Sequence, residues 1–178
     1  GDYTGVPQIQ KAKALLAEAG YKGEPIVLMR PTDQTTIGKL PLVAKQQLEQ
    51  AGFKVDLQNM DWQSLVSRRA RKDAPQAGGW NAFITSWVAE DIQNPLTMAM
   101  MNARGDKGWF GWMDDAKLEE IKARFAQATT DADKKRIAEE AQLYAFQVGT
   151  HVPLGQYTVP AAVRKNASGI VPAGAQVY

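Results

Sequence analysis

Residues 25–57, PIVLMRPTDQTTIGKLPLVAKQQLEQAGFKVDL, decide the fold of this chain. Pro25 to Met29 is an uninterrupted apolar run of strand length. From about Thr36 to Ala51 the residues Leu40, Ala44, Leu48 and Ala51 recur at helical spacing. Pro41 belongs in the first turn of that helix or at its true start, because elsewhere it would cost a hydrogen bond. Gly52 closes the helix. Phe53-Lys54-Val55-Asp56-Leu57 then alternates apolar and polar as a strand does. Strand, helix and strand with joints this short predict two parallel strands with a right-handed crossover.

Upstream, a helix is expected from Pro7 to Ala19, with Ile9, Ala12, Leu16 and Ala19 on one face and Gly20 as its left-handed stop. Downstream, Asp61 is a plausible N-cap for a helix running to about Lys72. Trp62, Leu65, Val66 and Arg69 share one face of that helix, while Arg68 and Arg71 point away from it as solvated cations would. Ala82 to Trp87 reads as a third, buried strand, parallel to the other two. Asn94-Pro95 opens a short helix carrying Met98, Met100 and Met101, and Ala103 to Trp112 is a glycine-loosened loop. Two amphipathic helices follow. One begins after Asp114 and uses Leu118, Ile121 and Phe125; the other begins at the capping pattern Thr130 to Asp133 and uses Ile137, Ala141, Tyr144 and Val148. His151 to Tyr157 and Ala161 to Arg164 read as extended returning segments, and Gly169 to Tyr178 carries no helix signal. The fold class expected is α/β, a mostly parallel sheet flanked by helices.

Composition narrows the function. The 178 residues carry a net charge of +2, too small a surplus to imply nucleic acid or an anionic membrane as partner. No apolar run approaches the roughly 20 residues of a membrane helix. There is no cysteine, so disulfides, thiolate metal sites and cysteine nucleophiles are excluded. The one histidine, His151, sits beside Val152-Pro153 and reads as a packed residue, which leaves a Ser-His-Asp triad or a histidine zinc site hard to assemble. The reading is a non-enzyme without metal or cofactor.

Four of the five tryptophans fall between Trp80 and Trp112. The strand ending at Trp87 runs directly into Glu90-Asp91, and open α/β sheets place ligands at the carboxyl ends of their strands. Arg69 is the basic residue that needs a reason, because it lies in phase with the apolar face of its helix. It can lay its stem along that face, pair with a carboxylate such as Asp91 or Asp56, or meet a ligand. A rival reading is a hydrolase using Glu90-Asp91 or Asp114-Asp115, but adjacent carboxylates are usually solvated. A third is a partner-docking domain with no ligand of its own.

The order KAKALLAEAGY, LEQAGFKVDLQNMDW, the Gly-Trp strand, VPLGQY and Arg164-x-x-x-x-Gly169 resembles the extracytoplasmic solute-binding proteins of ABC transporters, family 5, the oligopeptide, dipeptide and nickel-binding type. The resemblance implies one lobe, the C-terminal one, of a longer two-lobed protein, with residues from about 160 starting the return to the other lobe. The opening GDYTGVPQ lacks the pattern of a signal peptide, and an excised portion of a longer chain is expected. The resemblance further implies a short peptide or similar solute held in an inter-lobe cleft, delivery to membrane permease subunits, and a periplasmic or extracellular location. By position, Trp62 and Arg69 match a Trp and an Arg seven residues apart, the Arg meeting a peptide carboxylate. Trp87-Val88-Ala89-Glu90 matches a Trp-x-Ala-acid motif whose carboxylate meets the peptide amine. Pro95 lies one residue later than the motif expects, which leaves Asp91 as an alternative to Glu90. Trp80 and Trp109 complete the expected ligand-binding set as apolar surfaces that tolerate varied side chains.

Overall fold

A computed structural model of the chain describes residues 8–160 and 162–169. Pro7, Ala161 and residues 170–178, which entered the expectations above, lie outside the described residues. The chain divides into two compact units, residues 1–86 and 87–178.

The first unit is a three-stranded parallel sheet with helices packed on it. Helix α1 (Ile9–Glu18) precedes strand β1 (Ile26–Pro31), helix α2 (Leu40–Gln50), strand β2 (Val55–Met60), helix α3 (Trp62–Arg68) and strand β3 (Ala82–Phe83). The strand order is β2-β1-β3, and β1 pairs in parallel with both neighbours. All three strands are therefore parallel, as the short joints between them require. Val27, Leu28 and Met29 of β1 are buried, and Leu65 of α3 is fully buried with them in the core of this unit. Gly20 and Gly52 both take positive φ, 73° and 104°, and so turn the chain out of α1 and α2 at no cost to a side chain.

Several boundaries differ from expectation. Both long strands lie further along the chain than read, Ile26–Pro31 rather than residues 25–29 and Val55–Met60 rather than residues 53–57. Helix α2 starts at Leu40 rather than Thr36, and Pro41 sits in its first turn, where its absent N–H breaks nothing. Helix α3 stops at Arg68, four residues short of Lys72, with Arg69 as its C-cap. Strand β3 is two residues long, and the run from Ala82 to Trp87 is half-buried with Ser86 exposed, not a buried strand. The cause lies in β1. Ile26 and Thr32 donate their amides to carbonyls of Lys54 and Met60 on the β2 side, at 2.9 and 2.8 Å. The amide of Val27 faces the other way and donates to Asn81 Oδ1 at 2.9 Å. The next odd positions toward β3 are Met29 and then Pro31, and Pro31 has no amide to offer. The ladder to β3 ends there.

The second unit is built on an α-helical pair. Helix α4 (Ala116–Gln127) is capped by Asp115, whose Oδ1 accepts from the Leu118 amide at 2.8 Å. Helix α5 (Asp131–Val148) is capped by Thr130, whose hydroxyl oxygen accepts from the Asp133 amide at 3.1 Å. Leu118 and Ile121 of α4 pack with Ile137, Ala141 and Ala145 of α5, and Met101 and Ala103 join them from the preceding loop. Glu119 fastens that loop, accepting from the Ala103 amide at 2.8 Å and from Lys122 at 2.7 Å. The short helix expected from Asn94-Pro95 is instead a 3-10 turn, Ala99–Met101, which carries Met100 and Met101 with Met98 as its N-cap, and Asn94 forms a side-chain turn ahead of it by accepting from the amides of Leu96 and Thr97. Residues 151–160 follow α5 without secondary structure.

Candidate functional site

The first unit carries Trp62, Arg69 and Trp80. Asp61 caps α3 by accepting from the Ser64 amide at 2.9 Å, and Asp33 Oδ1 accepts from the Trp62 amide at 2.8 Å. These two carboxylates fix the start of the helix and hence the half-buried Trp62 ring. Arg69 is the C-cap of the same helix and is half-buried, and that burial disfavours its charged form and lowers its pKa. Its backbone carbonyl accepts the indole N–H of Trp80 at 3.1 Å, and the Trp80 ring meets Phe83 edge-on at 5.0 Å. The structure thus brings Arg69 and Trp80 together.

Arg68 was expected to be solvated and is not. Its Nε donates to the carbonyl of Gly78 at 3.1 Å and its Nη2 to that of Gly79 at 2.7 Å. The loop between α3 and β3 is closed by these bonds. Gly79 is required there, since a Cβ at that position would stand 1.8 Å from the carbonyl oxygen of Asp73. Helical phase alone could not reveal this role, because the acceptors are backbone carbonyls ten and eleven residues away. Arg71 behaves as expected, exposed and paired with Asp73 at 2.9 Å.

The second unit carries Trp87, Glu90, Asp91 and Trp109. Trp87 and Trp109 meet edge to face with centroids 5.2 Å apart, and Phe110 meets Trp109 in a second edge contact at 4.8 Å. The indole N–H of Trp87 is buried and has no hydrogen-bond partner among the described residues. Glu90 and Asp91 lie on a 3-10 turn, Ala89–Ile92, and both are exposed.

Trp109 is presented by a structure that the sequence reading took for a loose loop. The Trp112 amide donates to the Trp109 carbonyl at 2.8 Å, which makes residues 109–112 a tight turn, with Gly111 at φ 104°. Trp112 itself takes φ 51°, an uncommon conformation for a bulky residue and one that stores strain. An antiparallel bridge between Arg104 and Asp114, with the Gly105 amide donating to Met113 at 2.8 Å, pins the base of this loop. The signal in the sequence was the spacing Trp-Phe-Gly-Trp, a glycine held between aromatics.

Two other candidates are committed elsewhere. Asp115 accepts from Tyr144 Oη at 3.0 Å as well as capping α4, so its carboxylate is part of the helical core's frame. His151 is half-buried beside Thr150, whose hydroxyl lies 2.7 Å from Nδ1, and burial pushes its pKa below the usual histidine value.

Residues 1–109 match the family described as bacterial extracellular solute-binding proteins, family 5 Middle. The chain belongs to this family. It is 35% identical, over 92% of its length, to the Sinorhizobium fredii protein named "Probable peptide ABC transporter periplasmic-binding protein y4tO". Among solved structures it resembles MppA, a periplasmic murein tripeptide binding protein in its unliganded open form, with a TM-score of 0.67 and 19% identity over 84% of the chain. It also resembles AppA from Clostridium difficile, with a TM-score of 0.63 and 15% identity over 75% of the chain. At these identities the two structures bear on fold, and both agree with the α/β architecture described above. The family 5 chain spans between about a quarter and a third of each of these proteins: 31% of the Sinorhizobium relative, 29% of MppA and 26% of AppA.

Proposed function

We propose that the chain supplies one wall of a solute-binding cleft in a family 5 binding protein, and that the solute is a short peptide or similar zwitterion. The protein would work outside the cytoplasmic membrane and deliver its cargo to the permease of an ABC importer. The cleft's other wall would come from another lobe of the longer protein, with this chain as the C-terminal lobe.

One observation carries this reading. The Trp87 indole N–H is buried with no acceptor among the described residues, and a buried donor left unsatisfied costs about 1–3 kcal/mol. A ligand carbonyl or carboxylate would remove that cost. The aromatic faces of Trp87 and Trp109 offer apolar area without demanding one particular side chain. The exposed carboxylates of Glu90 and Asp91, two and three residues beyond Val88, suit an amine. On the first unit, Arg69 suits a carboxylate, which a planar guanidinium can hold bidentately, with Trp62 and Trp80 as its aromatic company. Binding of this kind requires no catalytic base.

The test is calorimetry on the full-length gene product with di- to pentapeptides, comparing the native protein with Arg69→Met. That change keeps much of the stem and deletes the charge. Affinity is expected to fall by about 1.5–3 kcal/mol, the range for a hydrogen bond to a charged group. Melting of the unliganded protein should barely change. Unchanged affinity with a large loss of unliganded stability would make Arg69 a structural residue, and absence of peptide binding by the native protein would end the peptide reading.

A further inference from the structure

The loop that joins α3 to β3 is folded around two guanidinium groups. Arg68 donates Nε to the Gly78 carbonyl at 3.1 Å and Nη2 to the Gly79 carbonyl at 2.7 Å. Arg71 donates Nη2 to the Ala77 carbonyl at 3.4 Å and Nε to the Asp73 carboxylate at 2.9 Å. Gly78 turns the chain between these carbonyls at φ 92°, a conformation open to glycine. The loop also bonds to itself, since the amides of Ala77 and Gly79 both donate to the Ala74 carbonyl, at 2.8 and 3.0 Å.

This frame fixes Trp80 from both sides. Gly79 before it is held by Arg68. Asn81 after it is docked on β1, its amide donating to the Val27 carbonyl at 3.0 Å and its Oδ1 accepting from the Val27 amide at 2.9 Å. So placed, the indole N–H of Trp80 meets the Arg69 carbonyl. Helix α3 has seven residues, too few to hold its last turn by itself, and the last carbonyls of a helix have no partner within it. Arg69 is the C-cap, with its amide on the Leu65 carbonyl at 2.9 Å, and the indole bond secures the other side of the same residue. Arg68 and Arg69 are neighbours in sequence, yet they lie about 100° apart around the helix. Their side chains leave it in different directions, and that of Arg68 is committed to the loop.

We infer that Arg68 is a positioning residue: by closing the loop it fixes Trp80, and through Trp80 the backbone of Arg69, and so sets how strongly the site prefers a free carboxylate over the corresponding amide. The inference rests on the reading of Arg69 as the contact to a ligand carboxylate. A guanidinium holds a carboxylate through two parallel N–H···O bonds, which require alignment as well as contact. A group whose support is loose by about 1 Å loses that alignment first. A terminal amide offers one acceptor oxygen instead of two and gains little from the alignment. Looseness at Arg69 therefore erodes the preference for the acid and leaves affinity for the amide nearly unchanged.

The test is calorimetry on the full-length gene product with trialanine and with trialanine amide, joined to proton exchange of the Trp80 indole N–H without ligand. Arg68→Lys keeps the charge, but an ammonium is a point donor and does not replace a fork on two carbonyls. It should lower the acid-over-amide preference at least about fivefold, out of the roughly tenfold or more that a hydrogen bond to a charged group supplies, with amide affinity changed less than about twofold. The indole N–H should exchange at least about tenfold faster. Gly78→Ala strains the loop at φ 92° and sets a Cβ 2.7 Å from Arg71 Nη1 without altering Arg68, and it should have the same two effects. Added to Arg69→Met, Arg68→Lys should leave the preference where it stands, because the group it positions is gone. Equal losses for acid and amide would make Arg68 structural and overturn the inference. Native preference with native indole exchange in Arg68→Lys would overturn it too. A native protein that binds neither probe or both alike, or a preference that survives Arg69→Met, would overturn the carboxylate reading of the site and the inference with it.

Discussion

The two units treat Trp80 and Trp87 differently. In the first, Trp80 donates its indole N–H to the Arg69 carbonyl at 3.1 Å, and the neighbouring loop is closed by Arg68 on the carbonyls of Gly78 and Gly79. In the second, Trp87 lies seven residues further on, and its buried N–H meets no acceptor among the described residues. The sheet accounts for much of this contrast. Helix α3 and strand β3 both pack on β1, and the loop between them folds back so that the carbonyls of Gly78 and Gly79 meet Arg68 and that of Arg69 meets Trp80. Beyond Phe83 the ladder has ended at Pro31, and the chain approaches Trp87 without such a frame. A tryptophan with a local partner supports the fold, whereas one without is available to something else.

Several measurements would break or sharpen that contrast. The largest effects belong to the cores. Leu28, at the centre of the sheet, is 1% exposed and Leu118, at the centre of the helical pair, is 0% exposed. Leu28→Ala and Leu118→Ala should each cost about 2–5 kcal/mol in urea unfolding. A loss below about 1 kcal/mol for either would mean that its unit is not built around that residue.

The tryptophans themselves come next. Trp80→Phe removes a made hydrogen bond, and the unliganded protein should lose about 0.5–1.5 kcal/mol from that bond. Trp87→Phe removes a donor that has no partner among the described residues, so it should cost the unliganded protein less than Trp80→Phe does, while weakening peptide binding. The two are compared by thermal melting without ligand and calorimetry with it. The reverse order of stabilities would erase the distinction between the units.

The smallest effect is one of pH. Burial raises the pKa of Glu119, but the hydrogen bond from Lys122, the amide of Ala103 and the charges of Lys122 and Arg104 more than offset it. Its folded pKa therefore lies below the ordinary glutamate value. A depressed carboxylate stabilises the fold above its unfolded pKa, and that contribution fades as pH falls through the folded one. Glu119→Gln should flatten this part of the acid limb when melting is followed from neutral pH downward. An unchanged acid limb would show that Glu119 does not hold Ala103 to α4 in solution.

Much of the architecture was legible in residue order. The phase of Leu40, Ala44 and Leu48, the caps at Asp61 and Thr130, the stops at Gly20 and Gly52 and the parallel direction of the strands all follow from groups within a turn or two of each other, or from the shortness of connections; the strand order β2-β1-β3 does not. The phase of Arg69 with Trp62 and Leu65 was equally local, and the structure finds that arginine half-buried. The candidate site was legible as residue types in sequence, not as an arrangement.

What tertiary structure decided was hydrogen-bond satisfaction. Whether β3 could extend depended on which way the missing amide of Pro31 faces, and that is set by the pairing of β1 with β2. Whether Arg68 was solvated depended on carbonyls carried to it by a folded-back loop. Whether an indole N–H found a partner depended on what lay within about 3 Å of it after folding. Periodicity and capping are local and can be read along the chain, but a donor's partner is chosen by packing, and the chain order of Trp80 and Trp87 gave no hint of which would be left without one.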